Sequence, residues 1–415
     1  MKKLILLSIL LIVGCRELDD CDGVKRGRAE LDDCGECVRG TTGLVYNYLM
    51  DCSGKCNGNA TLDECEVCDS DSTNDCVQDN CGIWGGSGGV EIFSGCYNID
   101  ATTTLNLSQS ELVGGIPSEI GNLINLSELN LSYNQLTGEI PEEIGNLDKL
   151  SNLNLSSNQL TGEIPEEIGD LVNLSKIYLN HNNFSGDIPI SLNNLINLET
   201  LSLGGIYNVD GNEFVQGICS LTKIEKMWIW GLNLDDNLPE CIQDLSQLMS
   251  FSIGSNNLTQ IPNWIYNINN LEGLYLFDNE LSGSLSSSIG NLINLKELSV
   301  WGNQLIGQIP ESIGNLVNLE FLYLHDNLLS GNLPSEIENL ENLERLFLNG
   351  NNLSGIIFEG ICTLNINWGS SGFTTTLSPY LEDLPYFNIN DNNLCPPYPT
   401  CIEDYMGEQD TSECE

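Results

Sequence analysis

The segment from 126 to 149 reads LSELNLSYNQLTGEIPEEIGNLDK, and the segment from 150 to 173 reads LSNLNLSSNQLTGEIPEEIGDLVN. The two match at every leucine and isoleucine and at the Asn, Gly and Pro between them. Leu129, Leu131, Asn134, Leu136, Gly138, Ile140, Pro141, Ile144, Gly145 and Leu147 in one unit become Leu153, Leu155, Asn158, Leu160, Gly162, Ile164, Pro165, Ile168, Gly169 and Leu171 in the next. A fixed 24-residue period identifies a stacked repeat architecture, because one such unit cannot bury its own apolar face.

Working outward, further units start at Leu174, Leu198, Ile224, Leu248, Leu271, Leu295, Leu319 and Leu343, with a step of 26 after Leu198 and 23 after Leu248. A first unit runs through Leu105 and Leu107, and a closing unit runs through Phe387, Ile389, Asn392 and Leu394. The Leu-x-Leu alternation predicts a short strand with both leucines inward, and strands of successive units stack in parallel. Asn134, Asn158, Asn182, Asn256, Asn279, Asn303, Asn327, Asn351 and Asn392 fall at the strand end. There they are expected to turn inward and hydrogen-bond the backbone of neighbouring turns. Gly permits the bend that follows and Pro closes a donor-free edge. The Ile-Gly-x-Leu segment predicts a short helical turn on the opposite side.

This pattern resembles the plant-type leucine-rich repeat of plant receptor-kinase ectodomains and polygalacturonase-inhibiting proteins, over roughly three quarters of the chain. The expected fold is α/β: a right-handed solenoid of about eleven repeats plus a C-terminal cap, spanning 90–415, with its parallel sheet on the concave face. The resemblance implies binding without naming a ligand.

The chain starts with Met1-Lys2-Lys3 and an apolar run from Leu4 to Val13 that ends Gly14-Cys15. That run is too short to span a bilayer but suits a signal segment. It resembles a bacterial lipobox, which implies a signal peptide over 1–14 and a lipid on Cys15. Arg16, rather than Asp, then implies the outer membrane or cell surface, with membrane attachment through the lipid alone. Residues 15–89 form an acidic, cysteine-rich stalk with a degenerate 31-residue repeat: Leu31-Asp32-Asp33-Cys34-Gly35-Glu36-Cys37 returns as Leu62-Asp63-Glu64-Cys65-Glu66-Val67-Cys68. This resembles small acidic Cys-rich repeats ahead of other domains in bacterial surface proteins. Removing Cys15 from the seventeen cysteines leaves an even sixteen, which in an exported chain favours disulfides over zinc at the two Cys-x-x-Cys pairs. The acidic run near Asp69, Asp71 and Asp75 resembles the start of a calcium loop. Asn74 and Asn80 stand where an EF-hand needs Gly and Glu, which leaves a weaker calcium site or a solvated loop.

Repeat register also pairs cysteines. Cys219 and Cys362 occupy the Gly145 position, and Cys241 and Cys401 occupy the Glu143 position one unit later. Bridges Cys219–Cys241 and Cys362–Cys401 follow, and Cys395–Cys414 remains to close the cap.

The net charge of -45 excludes nucleic acid and anionic lipid surfaces as partners, since both require Lys and Arg. Catalysis finds no support: His181 and His325 read as the same strand position six repeats apart, roughly 29 Å at ~4.8 Å per strand, and no nucleophile, phosphate or metal motif occurs. The outward positions around each Leu-x-Leu are informative. Early units carry Asn and Ser there, whereas later units carry Tyr178, Trp228, Trp230, Tyr275, Phe277, Trp301, Tyr323 and Phe347, flanked by charges including Arg345 and Asp326. Solvent-facing aromatics on a rigid sheet point to a protein or carbohydrate ligand. The alternatives are inhibition of a secreted polysaccharide-degrading enzyme, a surface spacer without a ligand, or aromatic pairs that only stabilise the sheet.

Overall fold

A computed structural model describes residues 89–206, 209–366, 368 and 386–414, together with strand segments within 30–31, 37–38, 61–62, 68–69, 371–372 and 384–385. The signal segment, Cys15 and the acidic residues Asp71 and Asp75 lie outside the described residues, as does the side chain of Asp69. The chain divides into two compact units, Met1–Gly89 and Val90–Glu415. In the first, Glu30–Leu31 pairs antiparallel with Cys37–Val38, and Thr61–Leu62 pairs antiparallel with Cys68–Asp69. The same small pairing thus recurs at the 31-residue offset of the sequence repeat.

The second unit is built on a 12-stranded parallel sheet from Thr104–Asn106 to Phe387–Asn388. Its register never slips where units abut: Leu129, Leu153, Ile177, Leu201, Met227, Phe251, Leu274, Leu298, Leu322 and Leu346 pair in line. Slippage would throw this whole apolar row to the other face. The row is buried and joins one continuous core with the second leucines and the Ile and Leu of the opposite turns. Two strands of three residues each would be unstable alone, so every unit depends on its neighbours.

The expected helical turns are 3-10 helices of five residues in most units, such as Glu142–Asn146 after Pro141 and Glu166–Asp170 after Pro165. Proline supplies the fixed φ of the entry position without needing a donor, and a turn this short closes with i→i+3 bonds. Among the described residues the α-helical segment is Asn212–Gln216, in the unit that the 26-residue step lengthens. The α component is therefore much smaller than the α/β label suggests.

A second set of short parallel strands, not anticipated from the sequence, lies past the ladder position in most units. One run links Val113–Gly114, Gln135–Gly138 and Gln159–Leu160, a second pairs Gly186–Asp187 with Val209–Asp210, and a third runs from Ser282–Ser284 to Asn393–Cys395. Gly114, Gly138, Gly162, Gly283, Gly307, Gly331 and Gly355 all have positive φ in or just after these segments, a conformation costly for other residues. Between the second and third runs Asp236 replaces that glycine, and the next unit is one residue short. The Asp236 carboxylate there accepts a hydrogen bond from the Thr259 amide at 2.8 Å and another from the Thr259 hydroxyl.

The asparagines form the expected ladder. Asn303 donates from Nδ2 to the carbonyl of Leu276 in the preceding unit and to Val300 in its own, both at 3.0 Å, and its Oδ1 accepts from the Leu281 amide at 3.0 Å. The same pattern holds from Asn134, bound to Leu107, Leu131 and Leu112, through Asn392, bound to Leu348, Ile389 and Leu353. Two adjacent units lack it: Ile206 and Leu232 occupy the ladder position, fully buried.

Disulfides join Cys219 to Cys241, Cys362 to Cys401 and Cys395 to Cys414, with Cα–Cα distances of 6.1, 5.7 and 5.6 Å. The geometry behind the first two is visible at glycine: a β-carbon on Gly145 would stand 2.8 Å from that of Glu167, 22 residues on. Cysteines at that offset are already within bonding reach.

Removing a ladder side chain strands backbone groups inside the core. Asn303→Ala is expected to destabilise the solenoid by about 1–3 kcal/mol, measured by denaturant unfolding. A variant of unchanged stability would refute the structural role given to this residue.

A continuous line of rings on the sheet face

The outward positions form rows, because strands in register place equivalent side chains side by side. The expectation that the later aromatics stand in solvent is corrected by the structure. Trp230 is 5% exposed, Phe277 8%, and Tyr275, Tyr323 and Phe347 are likewise buried. The reason is the glycines and serines one unit earlier. Trp230 lies directly over Gly204 and Gly205, and Phe277 covers Gly254, so that no side chain would fit at either place.

The rings then meet one another. His181 and Trp230 are 5.4 Å apart, Trp230 and Phe277 6.5 Å, Phe277 and Trp301 5.2 Å, Trp301 and His325 5.3 Å, and His325 and Phe347 5.5 Å. Phe277, Trp301 and His325 stack with interplanar angles of only 6° and 10°. Trp230, Tyr275 and Phe277 form one apolar cluster and Phe321, Tyr323 and Phe347 another, with Trp301 packed against both and Trp228 against the first. Both clusters are distinct from the leucine core. Tyr178 lies outside them, half-buried.

Two further expectations change. Arg345 is not a flanking surface charge: it is 0% exposed, with its guanidinium carbon 4.7 Å from the Tyr386 ring centroid. The histidines do not share a position either. His181 immediately precedes ladder residue Asn182, whereas His325 stands two before Asn327. Both belong to the ring line, a membership that single-position comparison of the repeats misses. Asp326, by contrast, is exposed at the edge, as is Asp278.

Two polar groups among the rings are tied down by neighbouring strands. Trp228 Nε1 donates to Ser250 Oγ at 2.9 Å, and Tyr275 OH donates to Glu297 Oε2 at 2.6 Å. Glu297 is 2% exposed. Its burial, with a smaller contribution from the charge of Glu320, pushes the carboxyl up to about 7 despite the Tyr275 hydrogen bond. Burial holds the His325 imidazole down at about 4, against the opposing pull of Asp326. Among the described residues no group of three or more His, Cys, Asp or Glu is placed to hold a metal.

These two groups make stability depend on pH in opposite senses. A carboxyl raised from 4.5 to about 7 favours folding below 4.5 and loses that contribution as pH rises through 7. An imidazole lowered from 6.5 to about 4 favours folding above 6.5 and loses that contribution as pH falls towards 4. Glu297→Gln, which keeps an acceptor for Tyr275, is expected to raise stability at pH 8 by about 1–3 kcal/mol. The difference should vanish near pH 4, where wild-type Glu297 is already neutral in both states. Thermal unfolding across that range checks it, and an equal effect at both ends would refute the assignment.

Comparison with known proteins fits this architecture. A family model described as a leucine-rich repeat region matches residues 103–236, and one described as the leucine-rich repeat matches 270–292, 294–316, 318–340 and 342–364. No curated protein matches by sequence. Among solved structures, a TDR receptor is 31% identical with a TM-score of 0.62, over 73% of this chain and 53% of its own. A leucine-rich-repeat protein of Leptospira interrogans is 31% identical with a TM-score of 0.56, over 72% of this chain and 68% of its own. The Arabidopsis receptor kinase HAESA, solved with the peptide hormone IDA and the co-receptor SERK1, is 28% identical with a TM-score of 0.56, over 78% of this chain and 58% of its own. The chain spans about half the length of the plant receptor structures it matches. With the Asn ladder, the unslipped sheet and these likenesses in hand, the chain belongs to the leucine-rich-repeat proteins, of the plant type.

Proposed function

We propose that the aromatic face binds a protein partner, through an extended segment lying along the ring line from Trp228 to Phe347. Five steps of ~4.8 Å make that strip about 24 Å long. The observation that carries the choice of polypeptide over carbohydrate is the stacking itself. Phe277 and His325 cover the two faces of Trp301, so the ring presents its rim. A sugar stacks on an open ring face, whereas a polypeptide packs against rims, backbone and the polar groups between them. Trp228, Trp301 and His325 retain partial exposure among buried neighbours, which is the form of a contact surface with anchors. The peptide hormone in the HAESA structure supports the same class of ligand.

The test compares Trp301→Ala with Asn154→Ala, on the ring-free early units, across arrays of secreted proteins and of glycans. Since Trp301 stacks on both sides, its loss is expected to cost about 1–3 kcal/mol of stability, so binding is measured per folded molecule. A protein ligand that loses at least ~1 kcal/mol of affinity in Trp301→Ala and none in Asn154→Ala supports the proposal. A glycan ligand, or equal losses in both variants, overturns it.

The same reading places the face outside the cell, with Cys15 carrying a lipid anchor to the outer membrane or surface. Cys15→Ser is expected to move the protein from the membrane to the soluble fraction. Retention in the membrane would place the anchor elsewhere.

A further inference from the structure

One carboxyl is built into the ring face. Glu297 lies in register between Gly273 and Phe321 on the neighbouring strands and is 2% exposed. The absence of a side chain at 273 makes room for the Tyr275 ring: a β-carbon there would stand 2.8 Å from both the ring edge and the hydroxyl of Tyr275. The ring therefore lies back along its own strand, and its hydroxyl reaches across to Glu297 Oε2 at 2.6 Å. The same ring packs with Trp230 and Phe277, and Trp228 and Trp301 pack against them. One hydrogen bond thus ties the placing of this cluster to one carboxyl.

The surroundings decide how a charge fares there. From the strand before come the Tyr275 hydroxyl and, at the margin, Glu272, which Lys296 engages at 2.9 Å. From the strand after come the apolar ring of Phe321 and, just before it, Glu320. Beyond Phe321 stands Arg345, its guanidinium against the Tyr386 ring. A protonated carboxyl is stable in such a place. A carboxylate needs several donors, and one tyrosine hydroxyl does not replace its hydration. Burial, assisted by Glu320 and opposed by the Tyr275 hydrogen bond, puts the balance point at about 7.

We propose that Glu297 and Tyr275 form a proton-operated latch on the ring line, closed while the carboxyl is protonated and released once it ionises. On ionising, the carboxylate turns from the rings to the margin, where the side chains of Lys296 and Glu272 are partly exposed. The turn breaks the Tyr275 hydrogen bond and loosens the cluster packed around that ring. The latch thereby sets the pH range in which the face is pre-shaped for a partner, a consequence that rests on the reading of this face as a contact surface.

The test uses the full-length protein alone. Near-ultraviolet circular dichroism and tryptophan fluorescence are followed from about pH 5 to about pH 9, and far-ultraviolet circular dichroism confirms that the solenoid stays folded. Wild type is expected to show a transition of the ring signal near neutrality. Glu297→Gln, fixed in the neutral form, is expected to keep the acid-side signal throughout and to lose the transition. Glu320→Gln removes a charge that holds the carboxyl up, so its transition should move to lower pH. His181, in contact with Trp230, also alters such a signal when it titrates. His181→Asn, which accepts the positive φ of that position, should therefore leave the transition in place. His325, at about 4, titrates below the range. A flat wild-type signal, a transition that survives in Glu297→Gln, or one that disappears in His181→Asn would overturn the latch. Should Glu297→Gln not fold, an unmoved midpoint in Glu320→Gln overturns it equally. Since no partner is used, failure of the latch leaves polypeptide binding standing, and the lack of a polypeptide ligand leaves the latch standing.

Discussion

A carboxamide that both donates and accepts is the interaction on which this structure depends. Each ladder asparagine gives two hydrogen bonds and receives at least one, and its partners belong to its own turn and to the one before. Buried amides and carbonyls at a strand end would otherwise go unpaired, at 1–3 kcal/mol each. Aspartate lacks the donors and serine lacks the reach. The asparagine therefore fixes both the sharp exit from each strand and the distance to the next. Once that distance is fixed, the leucines of adjacent turns meet in register and the core becomes continuous.

The same spacing explains the outer face. Strands ~4.8 Å apart bring equivalent rings on successive strands to centroid distances of 5.2 and 5.3 Å, close to a comfortable offset stack. Where a unit carries glycine instead of a ring, its neighbour leans across, as Trp230 does over Gly204 and Phe277 over Gly254. The line is continuous although the sequence row is not. Its order comes from ring contacts and from tethers such as Tyr275 to Glu297, so the face is shaped before any partner arrives, which lowers the ordering cost of binding.

The repeats made most of this fold legible. Periodicity located the strands, the inward leucines, the ladder asparagines and the cysteine pairs Cys219–Cys241 and Cys362–Cys401, because all of these follow from register. Periodicity reports only whether a position points in or out. It does not report what an outward side chain meets, so the burial of Phe277, Tyr323 and Arg345 was not legible. Nor was the raised carboxyl of Glu297, set first by its burial and then by the opposing hydrogen bond of Tyr275 and the charge of Glu320. The second line of strands escaped for a related reason: it depends on the φ of Gly138 and its equivalents, where the sequence indicates a bend without a pairing partner. The glycines at 204 and 254 were the available signal for the ring line, since each sits one unit before the tryptophan or phenylalanine that covers it.

One irregularity has a mechanical meaning. A solenoid behaves as a linear array whose units are held by nearest-neighbour coupling, and its weakest coupling decides where it comes apart. Ile206 and Leu232 remove the ladder from two successive units, and other side-chain bonds, such as Asn233 Nδ2 to the Val209 carbonyl at 2.6 Å and Asn212 Nδ2 to the Asn233 carbonyl at 3.0 Å, join the halves together with apolar contact and sheet pairing. Cys219 and Cys241 belong to those same two units, on the opposite side of the coil, and join them covalently. The bridge thus reinforces, on the far side of the coil, a junction whose amide hydrogen bonds come from Asn212, Gln216 and Asn233 instead of a ladder asparagine. In the oxidised protein the array can melt as one cooperative body. Under reducing conditions it would part at this seam into two blocks of unequal length, with the ring line divided between them: His181 on the N-terminal side, and Phe277, Trp301 and His325 on the other.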